Sequence, residues 1–408
     1  MATELSAAAA GVKPSATLSL KAEIARVEAT YGVKVIDMTA GQPDIGPTPD
    51  VVEALVEGGK LHKYGPVPGE TGLRSVIAES VNSETGASFK PEQIILTVGA
   101  KGGIDTVMRA VVDPGDRVVV LSPHWVTYPE NVGINGGTAV FARSRPDLHP
   151  DIDELAAVVR ESRPKAIIYS SPSNPTGAVY NSEELSAIVG IAREAGAWLI
   201  ADEIYRQFAF DGKKAPSVFS VAEPYEQTVL IDGPSKRFGI PGWRLGFITG
   251  PAYLTKAIGA LLGHTSNPSR PIQHAVEVAY KSEQAAGATA EMVRRYQANR
   301  DLFVDGLNRV DGIRCPKPEG AFYCFPDVSG LYGRSYEFDG ESYTISHSTD
   351  LRNFLLRKAE VAVVEGEPFG MDTHARFSLA ITRADCEAAL ANVAGAVAEL
   401  SPRHEGQQ

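Results

Sequence analysis

From residue 94 onward the chain repeats one pattern: a short apolar run, a turn, then apolar residues at helical spacing. The runs are 94–97, 118–121, 166–169, 198–201, 229–231 and 246–249. Several lack polar alternation, as strands covered on both faces do. Between the third and fourth, Leu185, Ile188, Val189 and Ala192 mark one helix face, with Ser182 expected as its cap and Gly196 as its stop. Strand–helix alternation on this scale predicts an α/β fold, a mostly parallel sheet sandwiched by helices. In such sheets ligands bind beyond the carboxyl ends of the strands, so the loops after the runs carry the functional reading.

The most informative loop is DGPSKRFGIPGWRLGFITG (232–250). It sets Lys236 and Arg244 among glycines and prolines. A lysine amine condenses with an aldehyde to a Schiff base, and an arginine fork holds phosphate; a solvated surface lysine is the plain alternative. TVGAKGG (97–103) follows a run and opens a predicted helix. Its glycines let the backbone approach an anion at the helix start. Asp202, in ADEIY, stands at a strand end, where it can charge-pair with a ligand or cap the next helix. SSPSNPTGAVY (170–180) is a turn by composition. Trp125, in LSPHWVTYPE, lies where an aromatic can stack on a flat ligand or fill the core.

The flanks read differently. Residues 18–31 form a predicted helix with Leu18, Leu20, Ile24 and Val27 on its apolar side, followed by a short strand at 33–38. Beyond residue 290 come a charged helix (about 290–308), PKPEGAFYCFPDVSG as a strand, a looped insertion at 330–349 and a helix at 350–359. The strands VAVV and RFSLA follow, then a last helix bearing Leu390, Val393, Val397 and Leu400. This mixture predicts a smaller α+β lobe. The tail SPRHEGQQ is expected to fray.

The formal net charge of -11, without a long basic run, makes nucleic acid and anionic membrane poor partners. Cys315, Cys324 and Cys386 are widely spaced, which argues against zinc or a disulfide scaffold and fits a reducing, cytoplasmic setting. No metal site is expected. Neither a secretory leader nor a membrane span is read from the chain.

Together V-G-A-K, N-P-T-G, D-E-x-Y and S-K-x-F-x-x-x-G-W-R-x-G resemble, in content and order, the motifs of pyridoxal-phosphate-dependent class I/II aminotransferases of the aspartate aminotransferase type, fold type I. The resemblance runs from about residue 13 to 400. It implies an N-terminal segment (1–45) packing with a small C-terminal domain (290–400), a large cofactor domain (46–289) and a tail (401–408). It implies pyridoxal 5'-phosphate as cofactor, with Lys236 as its Schiff-base lysine, Asp202 beside the ring nitrogen, Tyr205 and Asn174 on the phenolic oxygen, and Trp125 over the ring. Gly99, Ala100, Lys101, Ser235 and Arg244 would hold the phosphate. Tyr64, in HKYGPVPGETGLR, would reach the cofactor phosphate of a second subunit in a homodimer. Arg376, in RFSLA, would bind the substrate α-carboxylate, with Gly41, Asn174 and Trp125 lining the substrate.

The implied activity is ping-pong transfer of the amino group of an L-amino acid to a 2-oxo acid. Lyases, cyclases and oxidases of specialised metabolism share these motifs. A non-catalytic regulatory module is the other alternative, against which the acidic charge speaks. The chain also departs from the family. Asp232 and Pro241 stand where Asn and Thr are usual, and Glu365 stands in VVEGEPFG where proline is common. Glu365 and Glu367 near a substrate entrance point to a cationic substrate side chain; Arg109, Arg270 and Glu130 are other candidates to face it.

Overall fold

The computed structural model describes residues 5–12, 16–221 and 225–402. Its centre is a seven-stranded sheet in the spatial order Ile94–Thr97, Gly246–Thr249, Thr228–Asp232, Trp198–Asp202, Ala166–Ser170, Arg117–Ser122, Thr138–Arg143. Only Gly246–Thr249 runs antiparallel to its neighbours. The six expected runs are six of these strands. The seventh, Thr138–Arg143, was not expected: it is an edge strand with Phe141 44% exposed, although 139–142 is a short apolar run that was readable.

The lack of alternation has a direct cause. Val118, Val120, Ala166, Ile168 and Ile200 pack into one core. Their chain neighbours Val119, Leu121, Ile167, Tyr169 and Leu199 pack into another on the opposite face. Each fully buried aliphatic side chain contributes about 1.5–3 kcal/mol, so both faces select for apolar residues. The helix Ser182–Ala195 covers one face. Its cap is Asn181, not the expected Ser182. The Asn181 side chain accepts from the Glu183 and Glu184 N–H groups at 2.9 Å, and Glu184 Oε2 accepts from the Asn181 N–H at 3.0 Å. That reciprocal pair needs the residue three before Glu184. Gly196 ends the helix at φ 63°, as expected.

In the C-terminal part the helix Glu283–Leu307 starts earlier than expected. Only Tyr323–Cys324 of PKPEGAFYCFPDVSG is strand, paired antiparallel to Ala375–Ser378, which pairs in turn with Val364–Glu365. The expected loop at 330–349 contains a hairpin, Ser335–Phe338 with Glu341–Thr344. Its period-two pattern is short and mostly exposed, which hid it. The helix Ser348–Phe354 continues as a π-helical turn, Leu355–Ala359. At the other end of the chain Ile36–Asp37 pairs parallel with Val361–Ala362, and Ile24, Val27 and Val35 pack on Leu356 and Ala362. The side chain of Leu18, and the tail from residue 403, lie outside the described residues.

Among several ionic ties between the C-terminal part and the rest of the chain, one lies beside the turn 170–180. His149 Nδ1 lies 3.0 Å from Glu184 Oε2, and its Nε2 lies 3.1 Å from Glu319 Oε2. The Glu319 hydrogen bond, then Glu184, raises the His149 pKa to about 9 against the opposing effect of burial. A folded-state pKa above the unfolded value means stability that is full below the ordinary histidine range and lost as pH rises through about 9. Urea denaturation at those two ends should differ by on the order of 2 kcal/mol from this residue. The difference should shrink in His149→Gln; an unchanged pH dependence in that variant contradicts the assignment.

Candidate active site

The carboxyl ends of the strands open on a cavity of about 450 Å³. Five basic side chains line it, Lys21, Lys101, Lys236, Arg244 and Arg376, against one carboxylate, Asp202. A chain of net charge -11 therefore holds a concave site of opposite sign, which favours anionic ligands.

Lys236 lies in the single helical turn Pro234–Arg237, just after the strand Thr228–Asp232. Its Nζ donates to the Gly41 carbonyl at 2.5 Å and lies 5.8 Å from the centroid of the Tyr205 ring. Burial lowers its pKa to about 8; Arg244, Arg376 and Lys101 push the same way, and Asp202 opposes them. The amine is thus far easier to deprotonate than a surface lysine, as a nucleophile must be.

Asp202 ends the neighbouring strand and is 3% exposed. The Tyr128 hydroxyl donates to its Oδ2 at 2.7 Å and the Ile204 N–H to its Oδ1 at 3.3 Å. Burial pushes its carboxyl up to about 6, against those hydrogen bonds and the charge of Lys236. A cation set beside it would favour the ionised form.

At one end of the cavity Ala100 and Lys101 open the helix Gly99–Val111, whose first amides have no intrahelical partner. Gly99 has φ 72°, and a Cβ there would lie 2.4 Å from Arg244 Nη2. A Cβ on Gly246 would lie 2.3 Å from the Ala100 nitrogen. Two glycines thus let the arginine and the helix start converge. Ser235, 6% exposed, faces the same cavity. Amides, a hydroxyl and two cations make a phosphate-type donor set.

At the other end Arg376 is 2% exposed, with no carboxylate partner among the described residues. Its Nη1 donates to Asn174 Oδ1 at 2.9 Å, its Nη2 to the Thr39 carbonyl at 2.8 Å, and its Nε is unpartnered. Its guanidinium lies 4.6 Å from the Tyr323 ring centroid. A buried unpaired charge costs several kcal/mol, so this cation is set for an anion. Because Arg376 holds the Asn174 carbonyl, the Asn174 Nδ2 group is left as a donor. Tyr205 shares a 2.8 Å hydrogen bond with Tyr323 through their hydroxyls. Trp125 forms a wall, with Lys101 Nζ 5.1 Å from its ring centroid.

Eleven of the thirteen residues singled out from sequence line this cavity; Gly99 and Tyr64 do not. Gly99 packs beneath Arg244, and Tyr64 is 104% exposed. Sequence reasoning missed Lys21, Tyr128 and Tyr323. Lys21 neighbours the buried Leu20 on the N-terminal helix Ala16–Tyr31, and Tyr128 follows Trp125 by one helical turn, a spacing that was readable. Tyr323 carried no local signal.

The expected readers of a substrate side chain are corrected. None of Arg109, Arg270, Glu130, Glu365 or Glu367 lines the cavity. Glu365 is 8% exposed and accepts from Arg352 Nη1 at 2.8 Å. Arg109 pairs with Asp105 and Arg270 with Glu70. Asp232 faces away from the cavity toward Arg206.

An easily deprotonated amine, a buried carboxylate opposite it, a phosphate-type donor set and an unpaired buried arginine fit a flat phosphorylated aldehyde with an amino acid beside it. The family model for aminotransferase class I and II matches residues 33–393. The aspartate aminotransferase of Streptomyces avermitilis is 35% identical over 385 residues, 92% of this chain and 92% of that protein. The aspartate/prephenate aminotransferase of Thermus thermophilus is 35% identical over 388 residues, 93% of this chain and 95% of that protein. Among solved structures, the aspartate aminotransferase of Rhizobium meliloti superposes with a TM-score of 0.90 at 30% identity, covering 98% of this chain and 100% of that one. The T. thermophilus enzyme with maleate gives 0.87 at 34% identity, covering 97% and 100%. Among the described residues no helix is long and apolar enough to cross a membrane. Matched along nearly its whole length by proteins of one kind, the chain belongs to the class I and II aminotransferases and is a pyridoxal-phosphate-dependent transaminase of fold type I.

Proposed function

We propose that this enzyme moves the amino group of an acidic L-amino acid to a 2-oxo acid, with Lys236 as both the attachment point of the cofactor and the base. The observation that carries the reading is the Lys236 amine, enclosed among cations and facing Asp202, the only carboxylate that lines its cavity among the described residues. Pyridoxal phosphate supplies an aldehyde for condensation with amines and a protonated ring that accepts electrons. The protein supplies the rest. Asp202 holds a negative charge at the ring nitrogen. Tyr205 and Asn174 donate to the phenolic oxygen, and Trp125 covers one ring face. Ala100, Lys101, Ser235 and Arg244 hold the phosphate, with Gly99 packed beneath the arginine. Arg376 fixes the substrate α-carboxylate, which orients the α-hydrogen toward Lys236 Nζ, with Gly41 at its side. The neutral amine then takes that proton.

The substrate class is supported by charge. Among the described residues Lys21 lies on the cavity wall with no carboxylate partner, and no acid besides Asp202 lines the cavity. The related T. thermophilus enzyme was solved with maleate, a short dicarboxylate. We assign Lys21 to a second carboxylate on the substrate. We further propose a cytoplasmic homodimer in which Tyr64 reaches the neighbouring subunit's phosphate site. Full exposure of an aromatic, with Val56 76% exposed on the nearby helix Pro49–Gly58, supports it. The division into a large domain (46–289) and a small one (290–400) joined by the N-terminal segment draws support from the pairing of Ile36–Asp37 with Val361–Ala362.

Three outcomes test these roles. After incubation with pyridoxal phosphate and borohydride reduction, peptide mass spectrometry should find the adduct at residue 236 and nowhere in Lys236→Ala; an adduct elsewhere in an active variant removes the assignment. Asp202→Asn should keep the fold and lose about 10²–10³-fold in kcat, while wild-type turnover would exclude Asp202 from the ring nitrogen. Lys21→Ala should lower kcat/KM for dicarboxylic donors about 10-fold and leave neutral donors unchanged; an equal loss on both classes contradicts the side-chain role.

A further inference from the structure

Behind the site, on the side of the strand ends away from the cavity, lies a partly buried ionic cluster with no part in the transamination roles above. Arg206, its side chain 6% exposed, sends Nη2 to Asp232 Oδ2 at 3.1 Å and to Glu84 Oε2 at 3.0 Å. Its Nη1 lies 3.7 Å from Glu203 Oε2. Arg237 Nη1 donates to Glu84 Oε1 at 2.9 Å, and Gln207 Nε2 donates to Glu84 Oε2 at 2.9 Å. Asp232 Oδ1 also accepts from the Gly233 N–H at 2.6 Å.

Chain order gives this cluster its meaning. Arg206 follows Tyr205, and Arg237 follows Lys236. Lys236 and Tyr205, both lining the cavity, are therefore each one peptide bond from a residue whose guanidinium is held by the same carboxylate, Glu84, in the last turn of the helix Thr71–Thr85. The Arg206–Asp232 pair closes the loop, since Asp232 ends the strand that leads into the lysine turn. That turn, Pro234–Arg237, has four residues, too few to fix its own orientation. Its direction comes from side-chain ties: Glu84 on Arg237, the Arg237 guanidinium 5.2 Å from the Tyr280 ring centroid, and Thr289 Oγ1 donating to the Arg237 carbonyl at 2.7 Å. Burying the Glu203 carboxylate and the Arg206 guanidinium is a poor route to stability, because desolvation offsets the attraction. Arg206 Nε and Nη1 and Glu203 Oε2 even lack hydrogen-bond partners. Fixed geometry is what the cluster provides.

We infer that Glu84, with Arg206 and Asp232, is a positioning unit that aims Lys236 and Tyr205 into the cavity from behind, without touching substrate or cofactor. The inference rests on the roles proposed for Lys236 and Tyr205. A misplacement of about 1 Å at a reacting group can cost up to about 100-fold in rate, so loss of the Glu84 carboxylate should slow chemistry and leave substrate binding alone.

The test uses purified enzyme, Glu84→Gln, Arg237→Gln and their double variant, with Asp232→Asn as the near-isosteric change least able to prevent folding. Rates are normalised to bound cofactor. Two quantities are read: steady-state kcat and KM, and the rate at which apoprotein condenses with pyridoxal phosphate at residue 236. Each single variant should lose about 10-fold in kcat and in condensation rate, with KM for both substrates within about twofold of wild type. The double variant should lose no more than the worse single one, because the residues act as a unit. Wild-type rates per bound cofactor, a change confined to KM, or additive losses would each overturn the positioning role. If Lys236→Ala stays active, the reading of Lys236 itself fails; if it is inactive while the Glu84 and Asp232 variants are normal, only the present inference fails.

Discussion

Everything in this site follows from keeping one amine out of water beside like charges. Lys236 is enclosed, donates to a backbone carbonyl at 2.5 Å, and has Arg244, Arg376 and Lys101 as electrostatic neighbours. Burial and those three cations disfavour its ammonium form, while the hydrogen bond to the carbonyl favours it. Asp202 is the neighbouring charge that favours it, and Asp202 is itself driven toward the neutral acid by burial. The two groups hold opposite tendencies in one cavity: a base that is readily neutral, and an acid that needs a cation beside it to stay charged. A protonated ring nitrogen would provide that cation.

The sheet makes this arrangement possible. Trp198–Asp202 and Thr228–Asp232 are paired in parallel, so the loops after them open at the same edge and bring Asp202 and Lys236 together. The basic side chains around them come from segments far apart in the chain: the N-terminal helix, the start of the helix Gly99–Val111, the lysine loop and the strand Ala375–Ser378. No single segment is strongly basic. The positive cavity is a property of the fold, set within an acidic molecule, and its field acts over short range because salt screens the remainder.

What was legible in the sequence was local. Six strands of the sheet were readable because burial on both faces demands unbroken apolar runs, and the loops after them were readable because phosphate and ring contacts need glycine, proline and strand-end polar residues. What escaped depends on contacts between distant segments. Lys21 looks like any exposed lysine on an amphipathic helix until the helix is laid across the cavity. Tyr323 matters through Tyr205 and Arg376, which lie more than fifty positions away. Glu365 looked like a reader of cationic substrates until Arg352 was found beside it. The hairpin Ser335–Phe338/Glu341–Thr344 escaped for a different reason: partial exposure removes the pattern that marks an interior strand, whereas the edge strand Thr138–Arg143 carried a short readable run at 139–142.

The most direct measurement of the central claim is the ionisation of Lys236 itself. In apoprotein carrying carbon-13-labelled lysine, the ε-carbon resonance assigned to residue 236 can be followed against pH. A midpoint near 8 is predicted from burial and the surrounding cations. A midpoint at the ordinary lysine value of about 10.4 would mean that the amine is solvated and unperturbed, and the electrostatic basis of the site would be wrong.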